Sequence, residues 1–231
     1  MKLSLKNAFL ITDSMANLNV CHSCFTDEIN VITRRLDVFE NVKDGVEVYS
    51  YVEKKSDLVG DRICLSSLLL PDDVLDACIE YVLEKKCKFM VRACEDLYTS
   101  GLIESRYKLS PIMLLHKMGL LENATIVGAN CIDRDDVDLM AQSNASVVFL
   151  PSYSLGKGYG IPPVGFVKDK LPISFGSGDN SYNASGDMRK EAYITRLLCN
   201  EQARKENAID EQTLLSYFGK GNLKEWIKET L

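Results

Sequence analysis

Four places along the chain gather side chains that could do chemistry, each at the end of an apolar run. Arg92, Cys94, Glu95 and Asp96 follow one run, and Asn130 and Asp133 follow the next. Ser152 and Tyr153 follow a third, and Ser177, Asp179 and Asn180 a fourth. Parallel α/β folds collect their chemistry at the carboxyl ends of strands, so these positions form a polar, hydrogen-bonding rim. The plainer alternative is that they satisfy strand ends and cap helices, as Ser110 and Asp133 are placed to do. Cys21-His22-Ser23-Cys24 is a further candidate. Two thiolates at that spacing can bind zinc, but four ligands are the norm and no second pair follows, so packing is the simpler account. Gly156-Lys157-Gly158-Tyr159-Gly160 follows a loop where a phosphate-binding loop follows a strand, and reads as a flexible turn. His116 reads as structural.

The elements that must position these groups follow from periodicity and punctuation. Residues 2–12 alternate with a break at Lys6-Asn7, which predicts two short strands or a hairpin. A helix is predicted over Asp27–Asn41, then a turn at Asp44-Gly45 and a strand over Val46–Val52. From Asp61 the rhythm is regular. Strands are predicted at Arg62–Leu69, Lys88–Cys94, Ala124–Cys131, Ser146–Leu150 and Ile173–Gly176. Between them, helices are predicted from Pro71 to Lys86, from Ser110-Pro111 to Gly119, and over Asp133–Ser143, with loops after Cys94 and up to Pro163. Helices over Met188–Ala203, Asp210–Phe218 and Leu223–Thr230 finish the chain. Strands alternating with helices predict a parallel α/β sheet, either a barrel or doubly wound.

Composition narrows the partners. The 231 residues carry 46% hydrophobic side chains, enough for a sizeable core, and a net charge of −6, which gives no electrostatic footprint for nucleic acid. The opening Met1-Lys2-Leu3-Ser4-Leu5-Lys6 alternates and lacks the apolar run of a signal peptide, and stretches such as Cys64–Leu70 are too short to span a bilayer. Eight cysteines in such a chain predict reduced thiols and a cytoplasmic location, with no membrane partner.

Several segments resemble the metal-dependent amidohydrolase superfamily, on its nucleobase- and triazine-type deaminase and chlorohydrolase side. Leu150-Pro151-Ser152-Tyr153-Ser154-Leu155 followed by Gly158-Tyr159-Gly160-Ile161-Pro162-Pro163-Val164 is similar to the stretch His-Cys-Pro-x-Ser-Asn-x-x-Leu-x-x-Gly-x-Gly-Ile-Ala-Pro-Val. Ser110 to Leu121 resembles the family's Pro-Val-x-Leu-Leu-x-x-x-Gly-Leu-Leu helix, and Ile173 to Asp179 its last strand, Val-x-Leu-Gly-Thr-Asp. Asp187-Met188 and Leu197-Leu198 fit the helix that follows, and Lys2 to Ala8 the family's opening strand. The resemblance implies a (β/α)₈ barrel, Zn or Fe as cofactor, and hydrolysis of C–N or C–Cl bonds on heteroaromatic rings. It makes residues 61–180 strands four to eight of an incomplete TIM-type barrel. Residues 1–12 become a short β segment of a small β domain, residues 13–60 a shortened replacement of the first βα units with at most one or two strands, and residues 61–231 the partial barrel with C-terminal helices.

The departures from the family pattern set the expected function. Carried over by motif, Glu95 matches the proton-shuttling Glu and Asp179 the last acid, both as vestiges of a catalytic pair. The strand-five ligand position holds Arg92, the strand-six His position holds Asn130, and His-Cys-Pro has become Phe149-Leu150-Pro151. The first-strand His-x-His has no counterpart beyond Cys21–Cys24. A catalytic zinc needs about three protein ligands and an open position, and a guanidinium offers no acceptor. The expectation is therefore no metal and no cofactor, with Arg92 neutralising Glu95 or Asp179 in the cation's place. Arg92, Asn130, Ser152 and Asn180 remain as candidate ligand-binding residues. The chain is expected to be a catalytically impaired binding or partner subunit that takes a small heterocyclic ligand and pairs with its own copy or a fuller paralogue. An active deaminase with an altered or partner-completed site is the alternative.

Overall fold

A computed structural model describes residues 3–220 and Trp226. Eight parallel strands follow in chain order: β1 (Ser4–Ile11), β2 (Thr26–Thr33), β3 (Val46–Val52), β4 (Arg62–Leu65), β5 (Lys88–Ala93), β6 (Thr125–Gly128), β7 (Ser146–Phe149) and β8 (Ile173–Phe175). A short β9 (Gly219–Lys220) pairs antiparallel with the start of β1. The sheet curls until its ends meet. Ile11 N donates to Gly178 O at 2.8 Å and Gly178 N to Phe9 O at 3.1 Å, so the end of β1 bridges to the chain just past β8. The Asn7 side chain seals the same seam, donating to Ser177 Oγ at 2.7 Å. The result is a nearly closed TIM-like barrel.

Strand alternation sorts side chains between two layers. Phe9, Ile32, Tyr49, Tyr51, Cys64, Met90, Val127 and Val148 fill the lumen. The opposite faces, for example Phe89, Val91 and Ala93 of β5, join the outer core under the helices. That layer comprises α2 (Asp72–Lys85), α3 (Leu97–Tyr107), α4 (Pro111–Lys117), α5 (Arg134–Gln142), α6 (Pro151–Lys157), α7 (Val164–Val167), α8 (Met188–Ala203) and α9 (Glu211–Phe218), while α1 (Met15–Ser23) covers β1 and β2. Most of these helices open on a side chain that satisfies a free amide. Ser110 Oγ accepts from Met113 N at 3.2 Å, and Asp133 Oδ1 from Asp136 N at 2.9 Å.

Before residue 61 the structure differs from the sequence reading. The helix predicted over Asp27–Asn41 is instead β2 and a 3-10 turn at Leu36–Phe39. Ile29, Val31, Ile32 and Thr33 are stiff at χ1 and pack on a pleated surface, which outweighs the helical spacing of their neighbours. The predicted hairpin at residues 2–12 is the single strand β1. Its break is a register irregularity between Asn7 and Leu10. Asn17–Cys21, considered as a strand, lies in α1. Residues 97–107 and 151–157, predicted as loops, are α3 and α6. The crossovers from β2 to β3 and from β3 to β4 carry only 3-10 turns, which is how eight strands fit a chain of this length. β1 lies in the barrel sheet, parallel to β2. The predicted helix at Leu223–Thr230 lies outside the described residues, Trp226 apart. No helix among the described residues is long and apolar enough to cross a membrane.

Candidate functional site

Arg92 follows Met90 by two residues on β5 and so shares its inward face, at the carboxyl-end mouth of the barrel. Its guanidinium is held from three directions. Glu95 accepts from Nε at 3.1 Å and from Nη2 at 3.0 Å. Nη1 donates to the Tyr51 hydroxyl on β3 at 3.0 Å, and Nη2 to the Tyr153 hydroxyl on α6 at 3.2 Å. The two charged side chains are only 16% and 15% exposed, so this is a largely desolvated, fork-like ion pair. Burial works against the guanidinium's charge, but Glu95, Tyr51 and Tyr153 outweigh it and hold the proton more firmly than usual. Burial pushes the Glu95 carboxyl above its ordinary value, and Arg92 offsets this in part.

Glu95 reaches this position because β6 ends in a glycine. Gly128 has φ +101, and a Cβ there would lie 2.3 Å from Glu95 Cγ. Asn130, just beyond, donates to Glu95 O at 2.9 Å and to Ser154 Oγ at 3.0 Å. Its Oδ1 is buried with no partner. Aromatic rings close over the pair. Tyr153 packs edge-on against Tyr159 and Tyr182, with centroids 6.1 and 6.3 Å away, and the Tyr182 ring lies over Gly156, where a Cβ would come within 2.1 Å. Two larger hollows, about 590 and 500 Å³, flank the amino ends of the strands, away from Arg92.

The other candidates divide. Asp179 is exposed and accepts from Ser181 N at 2.9 Å, shaping its own loop. Of the two acids expected beside Arg92, it is Glu95 that takes the guanidinium. Asn180 turns towards α1, with Nδ2 3.9 Å from Cys21 Sγ and a buried, unpartnered Oδ1. Ser152 serves a buried carboxylate that sequence reasoning missed: its N and Oγ donate to Glu191 at 3.0 and 2.5 Å, and Asn183 Nδ2 adds a third bond at 2.9 Å. Burial pushes the Glu191 carboxyl up, and those three donors pull against it. The helical spacing of Glu191 to Met188, Thr195 and Cys199, which share the buried face of α8, was the available signal. Ser177 bonds Asn7 in the barrel seam, while Asp96 and Asp133 cap α3 and α5. Cys21 is buried at the end of α1, where burial pushes its thiol up to about 11. His22 Nδ1 contacts Thr26 O at 2.7 Å.

Metal-ligand chemistry does not fit this mouth. Arg92 brings a fixed positive charge to its centre and Asn130 a neutral amide, and among the described residues no three His, Cys, Asp or Glu side chains form a set that could hold a metal ion.

No protein-family model matches the chain. A 5-methylthioadenosine/S-adenosylhomocysteine deaminase of Halothermothrix orenii is 32% identical over 115 residues, which is 48% of this chain. The matched stretch spans only 25% of that relative's own length. Guanine deaminase from C. acetobutylicum, solved with bound guanine, superposes with a TM-score of 0.73 at 12% identity, covering 90% of this chain and 60% of that one. A mutant atrazine chlorohydrolase from Arthrobacter aurescens TC1, complexed with zinc and atraton, gives a TM-score of 0.74 at 13% identity, over 87% of this chain and 56% of that one. The sequence match to a deaminase and the shared barrel together make this chain similar to members of the amidohydrolase superfamily, of whose length it spans only a part.

Proposed function

We propose that this chain is an amidohydrolase-type barrel that does not by itself perform metal-dependent hydrolysis, and that it acts as a binding or partner subunit. The observation that carries this reading is the Arg92–Glu95 pair, held by Tyr51 and Tyr153 where the superfamily resemblance puts a metal ligand and the proton-shuttling acid. An acid already engaged by two guanidinium donors is poorly placed to move protons to a substrate. The ligand class is a small heterocycle, in keeping with the nucleoside, purine and triazine names of the relatives. Asn130 Oδ1 is a buried polar atom at the mouth without a partner among the described residues. Eight free cysteines support a reducing, cytoplasmic setting.

The test is elemental analysis of the purified protein, followed by assay with added zinc on 5-methylthioadenosine, S-adenosylhomocysteine, guanine and atrazine. Substoichiometric metal and no release of ammonia or chloride is the expected result. Turnover that disappears on chelation overturns the proposal.

A second reading is a site completed by another chain, either a copy or a fuller paralogue. Leu97 and Tyr98, at the start of α3 beside Glu95, are 79% and 77% exposed and would suit such a contact. With the sheet nearly closed, these exposed side chains, and not an open strand edge, are what argue for a partner. Light scattering at micromolar concentration separates the readings: a monomer of 25.9 kDa excludes the self-completed version.

A further inference from the structure

The loops that carry Glu95 and Asn130 also carry two thiols. Cys94 directly follows β5 with a left-handed backbone, φ 53, and Cys131 directly follows Asn130. The loops are knitted together at this point. Cys131 N donates to Cys94 O at 3.1 Å, and Cys131 Sγ lies 3.0 Å from the same oxygen. Ser100 Oγ, on α3, is 3.3 Å from Cys131 Sγ. Cys94 is 3% exposed while Cys131 is part-exposed, so the pair has a front and a back.

We propose that Cys94 and Cys131 form a peroxide-responsive dithiol, with Cys131 as the reacting thiol, Cys94 as the resolving thiol, and their disulfide as a covalent tie across the mouth. The reaction balances without a cofactor. The Cys131 thiolate attacks hydrogen peroxide; the O–O bond breaks, the sulfur keeps one OH as a sulfenic acid, and hydroxide leaves. The Cys94 thiol then attacks that sulfur, and the new S–S bond forms as water departs. Each sulfur gives up one electron and the peroxide takes the pair.

The local chemistry suits this order. The Cys94 thiol and the Ser100 hydroxyl both donate toward Cys131, and they bring its thiol down to about 7 against the opposing effect of burial. On ionising, Cys131 gives up its own bond to the Cys94 carbonyl and keeps those two donors. Cys94 moves the other way, well above the ordinary thiol value, through its bond to Cys131 and then burial. It stays protonated until a sulfenic acid appears beside it. Cys87 offers an internal comparison: it is also part-exposed, but burial pushes its thiol up.

The experiment treats the folded protein with hydrogen peroxide, blocks the remaining thiols and maps tryptic peptides. Cleavage isolates Cys94 on residues 93–106 and Cys131 on residues 118–134, each with one cysteine. The expected product is these two peptides joined, released by dithiothreitol. In Cys94→Ser, Cys131 should instead be trapped by dimedone as the sulfenic acid, and in Cys131→Ser, Cys94 should remain a free thiol. Without oxidant at pH 7, iodoacetamide should label Cys131 about tenfold faster than Cys87. The wild-type map decides the matter even if a variant fails to fold. Both peptides remaining separate while Cys87 oxidises first, or joining only after denaturation, overturns the proposal.

Discussion

Arg92 and Glu95, three residues apart around the end of β5, are joined by two side-chain hydrogen bonds, Nε to Oε2 at 3.1 Å and Nη2 to Oε1 at 3.0 Å. A pair this enclosed costs more to break than it gains over an apolar substitute, because either partner left alone is a charge stranded in a desolvated place. Arg92→Ala should therefore lower unfolding stability in urea by about 3–5 kcal/mol. The double variant Arg92→Met with Glu95→Gln should lose much less, since no net charge remains. Equal losses in the single and double variants would mean that packing, not charge, sets the cost.

That pair shows how far the sequence could be read. Arg92, Glu95 and Asn130 were legible because each ends or follows an apolar run of strand length, and the structure brings them together through Glu95. Asp179 was not, because a single residue of loop decides whether an acid at the end of β8 faces the mouth or bonds Ser181. The strands from Val46 onward, with α2, α4, α5, α8 and α9, announced themselves through turn and cap residues, whereas α3 and α6 were read as loops. β2 did not, because Thr26–Thr33 reads TDEINVIT, with the charges of a helix start laid over β-branched positions. Its strand identity comes from pairing on both sides, to β1 and β3, which no local window contains.

Gly128 tests the close approach that lets Glu95 fold back. Gly128→Ala meets both a positive φ and a Cβ 2.3 Å from Glu95 Cγ, so a loss of roughly 2–4 kcal/mol is expected, together with weakened Arg92 contacts. Gly158→Ala is the control. It too has a positive φ, +71, at the end of α6, but nothing lies within 4 Å of the added carbon. It should cost only about 1 kcal/mol. Similar losses at the two sites in matched thermal melts would show that backbone strain alone is being measured.

Asn7 carries the seam between the first and last strands. Its Oδ1 accepts from Phe9 N at 3.2 Å and Ser177 N at 3.3 Å, while Nδ2 donates to Ser177 Oγ. Asn7→Ala leaves two buried amides unpartnered, at about 1–3 kcal/mol each. Ser177→Ala removes only the hydroxyl and should cost about 1 kcal/mol. Hydrogen exchange locates the effect. In Asn7→Ala, the amides of Phe9 and Ser177 should lose protection ahead of β5 and β6. Uniform loss across all strands would show that the seam opens only with global unfolding.

Glu191 gives the barrel a pH dependence whose sign follows from its burial. It is fully buried on α8, and burial raises its carboxyl above the ordinary value of 4.5, against the donors Ser152 N, Ser152 Oγ and Asn183 Nδ2. The folded state therefore holds this proton more tightly than the unfolded chain does. The associated stability is fully present below pH 4.5 and is lost as pH rises through the raised folded value, at up to about 1.4 kcal/mol per pH unit for one proton. Glu191→Gln has no proton to lose there. Its amide must face donors from Ser152 and Asn183, so the variant starts with a stability deficit at acid pH. Urea unfolding of both proteins at half-unit steps from pH 4 to 8 should show the deficit shrinking as pH rises, because only the wild type pays for ionisation. A difference that stays flat, or that widens with pH, would mean that the three donors hold Glu191 ionised at or below its ordinary value.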